Sequence, residues 1–269
     1  MSAQDLIAHA LSGAGEPLLL LNGGMMSYAA WEPIAAPLRQ RYQVLGCDFR
    51  GQLLSPGPVP EDLEGHAADV ARLLEHLELP PVHVLGTSFG GEVAAVLAAR
   101  RPELVRSLVL ATVSDLATEA MHEDTVAMRE IVAGILAGGD RGRFHDRLVE
   151  RIFSPEYRER LAAEMAARRA GLDRLPTGWF SGLDGLLAAI ESFDLRALLP
   201  AIECPTLIVV AAADEVMPPE RSRRMAAAIP GASLRVHPTS GHALVSEDPQ
   251  WLVEVCLDFF DGVSSRSDP

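Results

Sequence analysis

The sequence has no lysine, and positive charge is in short supply. All 23 basic residues are arginines, and 37 acidic residues give a formal net charge of −14. The absence of lysine excludes a lysine Schiff base, the lysine of a nucleotide-binding P-loop and the phosphate-binding lysine of a protein kinase. The acidity makes nucleic acid and anionic membranes poor partners, so we predict that the chain binds neither.

Cysteine is scarce as well, and no apolar run is long. Cys47, Cys204 and Cys256 are far apart and odd in number, so we predict buried free thiols and neither a disulfide framework nor a zinc site. Glycine and proline interrupt every apolar run before it reaches the length of a membrane span. Residues 1–16 lack the charged start and apolar core of a signal peptide. We therefore predict a cytoplasmic protein.

The chain does contain a regular alternation of strand and helix patterns, and its 269 residues suffice for one large α/β domain. Strands are predicted at 16–21, 42–48, 82–86, 106–111, 205–211 and 233–237, with an antiparallel edge strand within 4–12. Helices are predicted at 28–39 with Ser27 as a cap, at 61–79, from about 90 to before Pro102, at 218–229, and at 248–260 with Asp248 as a cap. This alternation predicts a parallel sheet with helices on both faces.

The alternation fails between about 115 and 200, where the strand signal disappears. Helical patterns there cover 120–137, 143–152, 155–171 and 183–199. Ordinary crossover helices are the alternative, but the segment is too long for one connection between parallel strands. We therefore predict a core domain formed by 1–114 and 201–269, with 115–200 inserted as a helical cap. The tail 264–269 is predicted to be disordered.

The stretch Gly86-Thr-Ser88-Phe-Gly90-Gly91 joins a buried strand pattern to an alanine-rich helix pattern. A strand that turns tightly into a helix at G-x-S-x-G has the geometry of a nucleophile elbow. The residues two before and two after the serine must be small, and both are glycine here. An ordinary glycine-rich loop is the alternative, but the flanking strand and helix favour Ser88 as a nucleophile.

A serine hydroxyl needs a base to take its proton, and that base needs an acid to orient it. His242 follows the last predicted strand, and Asp214 follows the strand at 205–211. The order Ser88, Asp214, His242 is the one expected on this kind of sheet. Asp115, which also follows a strand, is the rival acid, and His237 lies close to His242 in sequence. His66 and His76 lie on a predicted helix and His83 lies within a predicted strand, so structural roles are favoured for them; His122 and His145 lie in the cap, where they could at most contact substrate.

An acyl transfer also needs donors for the oxyanion that forms on the carbonyl oxygen. The N–H of Phe89 follows the nucleophile at a helix N-terminus, so it is the first predicted donor. The second is predicted in the Asn22-Gly23-Gly24 turn, at the N–H of Gly24 with Met25 as the fallback. A plain turn is the alternative, since Asn-Gly makes one readily.

Together these residues resemble the α/β-hydrolase fold family over nearly the whole chain. The matching segments are Leu18–Leu21 with Asn22-Gly23-Gly24, Asp48-Phe-Arg50-Gly51 with Ser55, Gly86-Thr-Ser88-Phe-Gly90-Gly, Asp214 with Pro218, and Ser-Gly241-His242 with Glu247 and Pro249. The resemblance implies an eight-stranded, mostly parallel sheet with a helical cap inserted after the sixth strand. It also implies no metal and no organic cofactor. Two departures stand out: Asn22 replaces the usual histidine, similar to the 3-oxoadipate enol-lactonase group, and Gln52-Leu53-Leu54 lacks the usual second glycine.

The resemblance implies a serine hydrolase that acts on a small-molecule carboxylic ester, lactone or thioester through an acyl-enzyme. A serine nucleophile is unlike the aspartate of the dehalogenases that share the fold. Residues of the cap and the cavity rim are expected to set specificity, and most of them are apolar. The candidates are Met25, Met26, Phe89, Met121, Met128, Phe153, Trp179, Phe180 and Leu244.

The same residues are compatible with other functions. A C–C bond hydrolase and a cofactor-free perhydrolase use the same three residues on this fold. A non-catalytic binding protein could also keep the fold, although it has no need of all three residues. The oligomeric state is open too, a homodimer included.

Overall fold

The computed structural model describes residues 6–55, 57–160 and 162–267. Within them, seven strands form one sheet in the spatial order β1-β3-β2-β4-β5-β6-β7. The strands are β1 His9–Gly13, β2 Glu16–Leu21, β3 Tyr42–Cys47, β4 Val82–Thr87, β5 Val105–Ala111, β6 Thr206–Ala211 and β7 Ser233–His237. β1 is antiparallel to β3, and every other pair is parallel. The predicted α/β sheet and antiparallel edge strand are confirmed.

The strand count differs from the expected eight. Only one described strand, β1, precedes β2, and it pairs with β3 at the edge of the sheet. Between Leu6 and the start of β2, the structure describes no second strand. The long helical segment consequently follows the fifth strand and not the sixth.

Helices cover both faces of the sheet, and for this reason the central strands are apolar on both sides. α1 Glu32–Leu38 and α11 Pro249–Ser267 pack on one face, where residues such as Leu20 and Val109 point. α2 Leu63–His76, α3 Phe89–Arg100 and α9 Pro219–Ala228 cover the other face, against residues such as Leu21 and Leu110. A four-residue helix, α10 Leu244–Glu247, precedes α11.

Between β5 and β6, the described residues form five helices: α4 Glu119–Leu136, α5 Gly142–Ile152, α6 Pro155–Arg160, α7 Ala162–Leu172 and α8 Thr177–Ile190. They have an apolar cluster of their own, centred on Phe144 and Phe180. The helix predicted at 183–199 is wrong in its bounds, because α8 begins directly after Pro176 and the chain from Glu191 turns back to form a bridge between Asp194 and Leu116. The division into a core and a cap at 115–200 stays a prediction.

Two predicted helix ends differ from the structure. Ser27 stands at the N-cap position of a 3-10 helix, Tyr28–Trp31, that precedes α1, but its side chain does not cap this helix, because its hydroxyl donates to Asp48 Oδ2 at 3.2 Å. The predicted disordered tail is helical through Ser267, where α11 continues beyond the buried Phe260. Asp268 and Pro269 lie outside the described residues.

Other predictions concern single side chains and membrane helices. Asp248 caps α11, as predicted, by accepting the N–H of Trp251 at 3.0 Å. The cysteines are unpaired, with Cys47 and Cys256 buried as predicted and Cys204 only partly so; burial raises the pKa of the Cys204 thiol to about 11. In the described part of the chain, no helix has the length and apolarity needed to cross a membrane.

Candidate active site

Ser88 lies at the turn between β4 and α3, in a strained backbone conformation. Its φ of 52° and ψ of −129° are unusual for a residue with a side chain. The glycines around it allow this turn, because a Cβ at Gly86 would lie 2.5 Å from Gly90 O, and one at Gly90 would lie 2.3 Å from Leu21 O. The prediction that these positions must be small is confirmed. The tight turn projects Ser88 at the carboxyl end of the sheet.

The structure brings Ser88, His242 and Asp214 together in one hydrogen-bonded line. His242 Nε2 lies 2.9 Å from Ser88 Oγ, and His242 Nδ1 lies 2.9 Å from Asp214 Oδ2. The other carboxylate oxygen, Asp214 Oδ1, accepts the N–H groups of Val216 and Met217 at 2.9 and 2.8 Å. A carboxylate at Nδ1 favours the proton on that nitrogen, so the Nε2 lone pair faces the serine hydroxyl.

The rival residues have other partners. Asp115 is buried in an ion pair with Arg221, whose Nη2 lies 2.6 Å from Asp115 Oδ1. His237 Nδ1 accepts the N–H of Ser240 at 3.0 Å, and its Nε2 lies 3.3 Å from Asp248 Oδ2. Neither residue takes part in the line of hydrogen bonds that ends at Ser88.

The two predicted oxyanion donors lie beside the serine. Cβ atoms built on Gly23 and Gly24 would lie 3.8 Å from the Cβ atoms of Ser88 and Phe89, respectively, so the glycine turn packs against the elbow. Within the described residues, the N–H groups of Gly24, Phe89 and the fallback Met25 donate to no other group. Amides without a partner beside a nucleophile are suited to accept a developing oxyanion.

These loops meet where the order of the strands in the sheet reverses. β3 lies on one side of β2 and β4 on the other, so the turn after β2 and the elbow after β4 face each other. Ligands bind at such points in open α/β sheets. Residues 16–249 match the sequence model of a family described as alpha/beta hydrolase fold. The chain belongs to the α/β-hydrolase fold family.

Individual relatives of this hydrolase bear names of several activities. The chain is 30% identical over 251 residues to a 2-hydroxymuconate semialdehyde hydrolase of Pseudomonas sp., and the matched region covers 86% of this chain and 82% of the relative. It is 28% identical over 259 residues to RutD of Pseudomonas savastanoi pv. phaseolicola, named as a carbamate hydrolase, with 94% and 97% covered. The enol-lactonase structure from Burkholderia xenovorans has the same fold, with a TM-score of 0.81, 24% identity, and 95% and 96% coverage. The chain is an enzyme of the hydrolase class.

A cavity of about 380 Å³ opens beside Ser88 in this hydrolase. Most of its lining is aliphatic, thioether or aromatic, and part of it comes from the helices between β5 and β6. Of the predicted specificity residues, the cavity is lined by Met25, Met26, Phe89, Met121, Met128 and Phe153. An apolar lining of this kind favours an apolar substrate group.

Trp179, Phe180 and Leu244 do not line the cavity, so these three predicted contacts are corrected. Phe180 is fully buried and packs edge-on against Phe144, 5.7 Å between ring centroids, with Trp179 at its side. Leu244 is fully buried in the cluster between the sheet and α11. Apolar spacing marked all three as inward-facing but did not distinguish a packed interior from a cavity wall.

Some lining residues were not predicted. Val216 and Met217 lie two and three residues after Asp214, and their nearness to the predicted acid was a usable signal. The cavity wall also contains charge: Asp124 accepts hydrogen bonds from both Arg147 and Arg151. Nothing in the sequence separates these arginines from the many Arg/Glu pairs of the same segment.

Burial controls two titratable groups next to the elbow. Glu92 is completely buried on α3, where desolvation, and to a lesser extent the charge of Asp214, raises the pKa of its carboxyl well above the usual value. Its Oε1 accepts the N–H of Ser114 at 3.0 Å. Burial lowers the pKa of His66 to about 4, and that imidazole packs edge-on against the ring of Phe89 with 5.0 Å between centroids. The His66 imidazole is therefore uncharged at neutral pH, and burial favours the uncharged form of the Glu92 carboxyl.

Proposed function

We propose that this hydrolase cleaves a small-molecule carboxylic ester, lactone or thioester through an acyl-enzyme on Ser88. The observation that carries the proposal is the pair of 2.9 Å hydrogen bonds that joins Ser88 to His242 and His242 to Asp214. A nucleophile, a base and an orienting acid in that order are the requirement for acyl transfer by serine. The proposed reaction balances without a metal or organic cofactor, because Ser88 supplies the nucleophile, His242 transfers the protons and two backbone amides stabilise the oxyanion.

In the first half-reaction, His242 Nε2 takes the proton of Ser88 Oγ while Oγ bonds to the substrate carbonyl carbon. The π electrons of the carbonyl move to its oxygen, and the N–H groups of Gly24 and Phe89 donate to that oxyanion. Asp214 stabilises the imidazolium cation. When the carbonyl re-forms, the bond to the leaving group breaks, and His242 returns the proton to the departing oxygen or sulfur.

In the second half-reaction, water takes the place of the serine hydroxyl. His242 takes a proton from the water as its oxygen attacks the acyl carbon, and the same two amides hold the second oxyanion. Collapse of this intermediate breaks the bond to Ser88 Oγ, which recovers its proton from His242. The products are a carboxylic acid and the free enzyme.

The cavity supports a small or medium-sized apolar acyl group. Its volume of about 380 Å³ is at the lower end for small-molecule sites, and its wall is mostly apolar. The two arginines in the wall, Arg147 and Arg151, already bind Asp124. A substrate carboxylate therefore has no unpaired arginine to bind there, and an uncharged acyl group fits better.

A second candidate is hydrolysis of a C–C bond next to a carbonyl. The relative that is 30% identical is named a 2-hydroxymuconate semialdehyde hydrolase, and that observation favours this candidate. Turnover of a dienone substrate with negligible turnover of simple esters would select it over the ester hydrolase.

The test of the proposed function is labelling with a fluorophosphonate probe together with hydrolysis of short p-nitrophenyl esters. Wild type is expected to label once and to turn over, and Ser88→Ala is expected to do neither. Ser107→Ala is the matched control, because Ser107 is a buried serine in the first half of β5, away from the carboxyl end of the sheet. Labelling that persists in Ser88→Ala, or wild type that is inert to ester and probe, would overturn the proposal.

A further inference from the structure

Gln52 is a buried amide underneath the glycine turn. Its side-chain oxygen Oε1 accepts the N–H of Phe49 at 2.9 Å and the Nδ2 group of Asn22 at 2.9 Å. Two donors on one oxygen fix which end of the amide is which, because the NH₂ group could not accept either of them. The NH₂ group of Gln52 must therefore face the opposite way.

That NH₂ group faces the carbonyls of the glycine turn. Gln52 Nε2 lies 2.8 Å from Gly23 O and 3.3 Å from Gly24 O. Gly23 O also accepts the N–H of Met26 at 3.0 Å. The carbonyl of Gly23 is thus held by two donors, of which Gln52 is the one contributed from outside the turn.

The direction of the Gly24 N–H follows from the direction of the Gly23 carbonyl. The two groups belong to one planar trans peptide, so they point in opposite directions. With Gly23 O directed at the buried Gln52, the Gly24 N–H points away from it. Gly24 lines the cavity next to Phe89, and its N–H has no partner among the described residues.

We propose that Gln52 is a positioning residue that aims the Gly24 N–H at the oxyanion. The inference rests on the proposed function. Glycine has wide conformational freedom, so a Gly23–Gly24 peptide without an external partner rotates at little cost. The hydrogen bonds from Gln52 oppose that rotation. Electrostatic stabilisation depends on donors that are oriented before the charge forms, and Gln52 supplies the orientation without touching the substrate.

The two departures from the family pattern are thereby connected. Asn22 stands where a histidine is usual, and Gln52 lies in the Arg-Gly turn that lacks its second glycine. Their amides are hydrogen-bonded to each other at 2.9 Å, and Asn22 Oδ1 accepts the indole N–H of Trp31 at 2.7 Å. Asn22 fixes the Gln52 amide, and Gln52 fixes the peptide that carries the proposed donor.

The test compares Gln52→Leu and Gln52→Glu with the same two substitutions at Gln43, a half-buried glutamine on β3 with no part in the site. Gln52→Leu removes both donated hydrogen bonds. We expect its kcat on a p-nitrophenyl ester to fall about 10- to 100-fold, with KM within about twofold of wild type. Affinity for phenylboronic acid, whose adduct with serine mimics the oxyanion, is expected to fall by the same factor as kcat.

Gln52→Glu keeps the acceptor oxygen for Asn22 and Phe49 but presents a carboxylate oxygen to Gly23 O. We expect kcat to fall at neutral pH. The ratio of its kcat to that of wild type at the same pH should rise as the pH falls, because the protonated acid again donates to Gly23 O. A purely structural role gives no such rise. Taking the ratio removes the titration of the shared catalytic groups.

Several results would overturn the inference. One is a folded Gln52→Leu with kcat within about twofold of wild type. Another is a fall in kcat with unchanged boronate affinity. If Gln52→Leu does not fold, the Gln52→Glu variant decides. The inference is overturned if its kcat relative to wild type does not change with pH and equals the value for Gln43→Glu. Ser88→Ala in the same assay separates the two proposals: the proposed function fails if turnover survives that change, whereas only the role of Gln52 fails if turnover needs Ser88 and not Gln52.

Discussion

The carbonyl oxygen of Ile152, at the end of α5, accepts the backbone N–H of Ala243, the residue after His242, at 2.8 Å. Two residues further along, Ser154 donates its N–H and its hydroxyl to the two carboxylate oxygens of Glu247, both at 2.7 Å. The loop that carries the proposed base is therefore attached to the helices between β5 and β6. Those helices position His242 as well as line the cavity.

Glu247→Ala should lower both stability and activity. The change leaves two buried donors of Ser154 without a partner, which costs about 1–3 kcal/mol in the free energy of unfolding. It also loosens the loop of His242, so kcat/KM should fall about tenfold. Urea unfolding and ester hydrolysis measure the two effects. Glu254→Ala is the control, because Glu254 is exposed on α11 and accepts a hydrogen bond from Gln250 on the same helix. Equal behaviour of the two variants would contradict the attachment.

Asp214→Asn and Asp115→Asn should have opposite effects. The asparagine at 214 can still accept the two backbone N–H groups but no longer favours the proton on His242 Nδ1, so kcat should fall by about 10⁴ with little change in stability. At 115 the change removes the ion-pair partner of the buried Arg221 guanidinium, which should cost about 3 kcal/mol in stability and leave kcat largely unchanged. Unfolding curves and kcat values for both variants test this prediction. If only Asp115→Asn loses activity, Asp115 and not Asp214 is the acid that orients His242.

The sequence predicted each strand from β2 to β7 to within one residue at either end, whereas β1 was placed only within a wider segment. Strands buried on both faces are continuous apolar runs, and this signal is local. The line from Ser88 to His242 was also predictable, because carboxyl ends of neighbouring parallel strands meet at one edge of the sheet. Phe180 shows the limit: its apolar spacing requires burial, but whether it packs on Phe144 or on substrate depends on how distant helices dock. At Gln52 the sequence shows only a departure from the family pattern, because the role proposed for it depends on contacts with the turn after β2.

Stability should fall as the pH is lowered from about 6.5 to about 4. Burial lowers the pKa of His66 to about 4, below the value of about 6.5 in the unfolded chain, so in this window the unfolded state binds the extra proton. The contribution of neutral His66 to stability is fully present above its pKa in the unfolded chain. It is lost as the pH falls toward its pKa in the folded protein. The difference between the two pKa values corresponds to about 3 kcal/mol.

His66→Phe should remove that part of the pH dependence while keeping a ring against Phe49 and Phe89. Burial also lowers the pKa of His83, so wild type and variant share a residual slope and the difference between them is the quantity to measure. Unfolding free energies by urea at several pH values supply it. His76→Gln, an exposed histidine on the same helix, is the control. Parallel curves for wild type and His66→Phe would refute the assignment.

Two glycine-to-alanine changes should shift stability in opposite directions. A Cβ at Gly90 would lie 2.3 Å from Leu21 O and 2.4 Å from Asn22 O, and both are backbone atoms that cannot move aside cheaply. Gly90→Ala should therefore destabilise by at least about 2 kcal/mol and abolish ester hydrolysis. A Cβ at Gly134, inside α4, would meet nothing within 4 Å, so Gly134→Ala should stabilise by about 0.5–1 kcal/mol. Thermal melts test the pair, and a stabilised Gly90→Ala would mean that the elbow is more open than described.

Removing one carboxylate from the cavity wall should change which acyl groups the enzyme prefers. Asp124 accepts hydrogen bonds from the guanidinium groups of Arg147 and Arg151, so neither arginine is available to a substrate carboxylate. Wild type should therefore prefer p-nitrophenyl pentanoate, whose acyl group is uncharged, to the mono-p-nitrophenyl ester of glutarate. Asp124→Ala frees both arginines to bind the terminal carboxylate of the glutarate ester. A charge-assisted hydrogen bond at this half-exposed position should raise kcat/KM for that ester about tenfold relative to the neutral one.

The matched control for that change is Asp184→Ala. Asp184 pairs with Arg129 at 2.9 Å with the same exposure as Asp124, but it does not line the cavity. Both variants lose one negative charge, so a general effect of net charge on an anionic ester would appear in both. If only Asp124→Ala changes the preference, the change comes from charge inside the cavity. If wild type already prefers the glutarate ester, the ion pair around Asp124 opens when substrate binds, and the proposed preference for an uncharged acyl group is wrong.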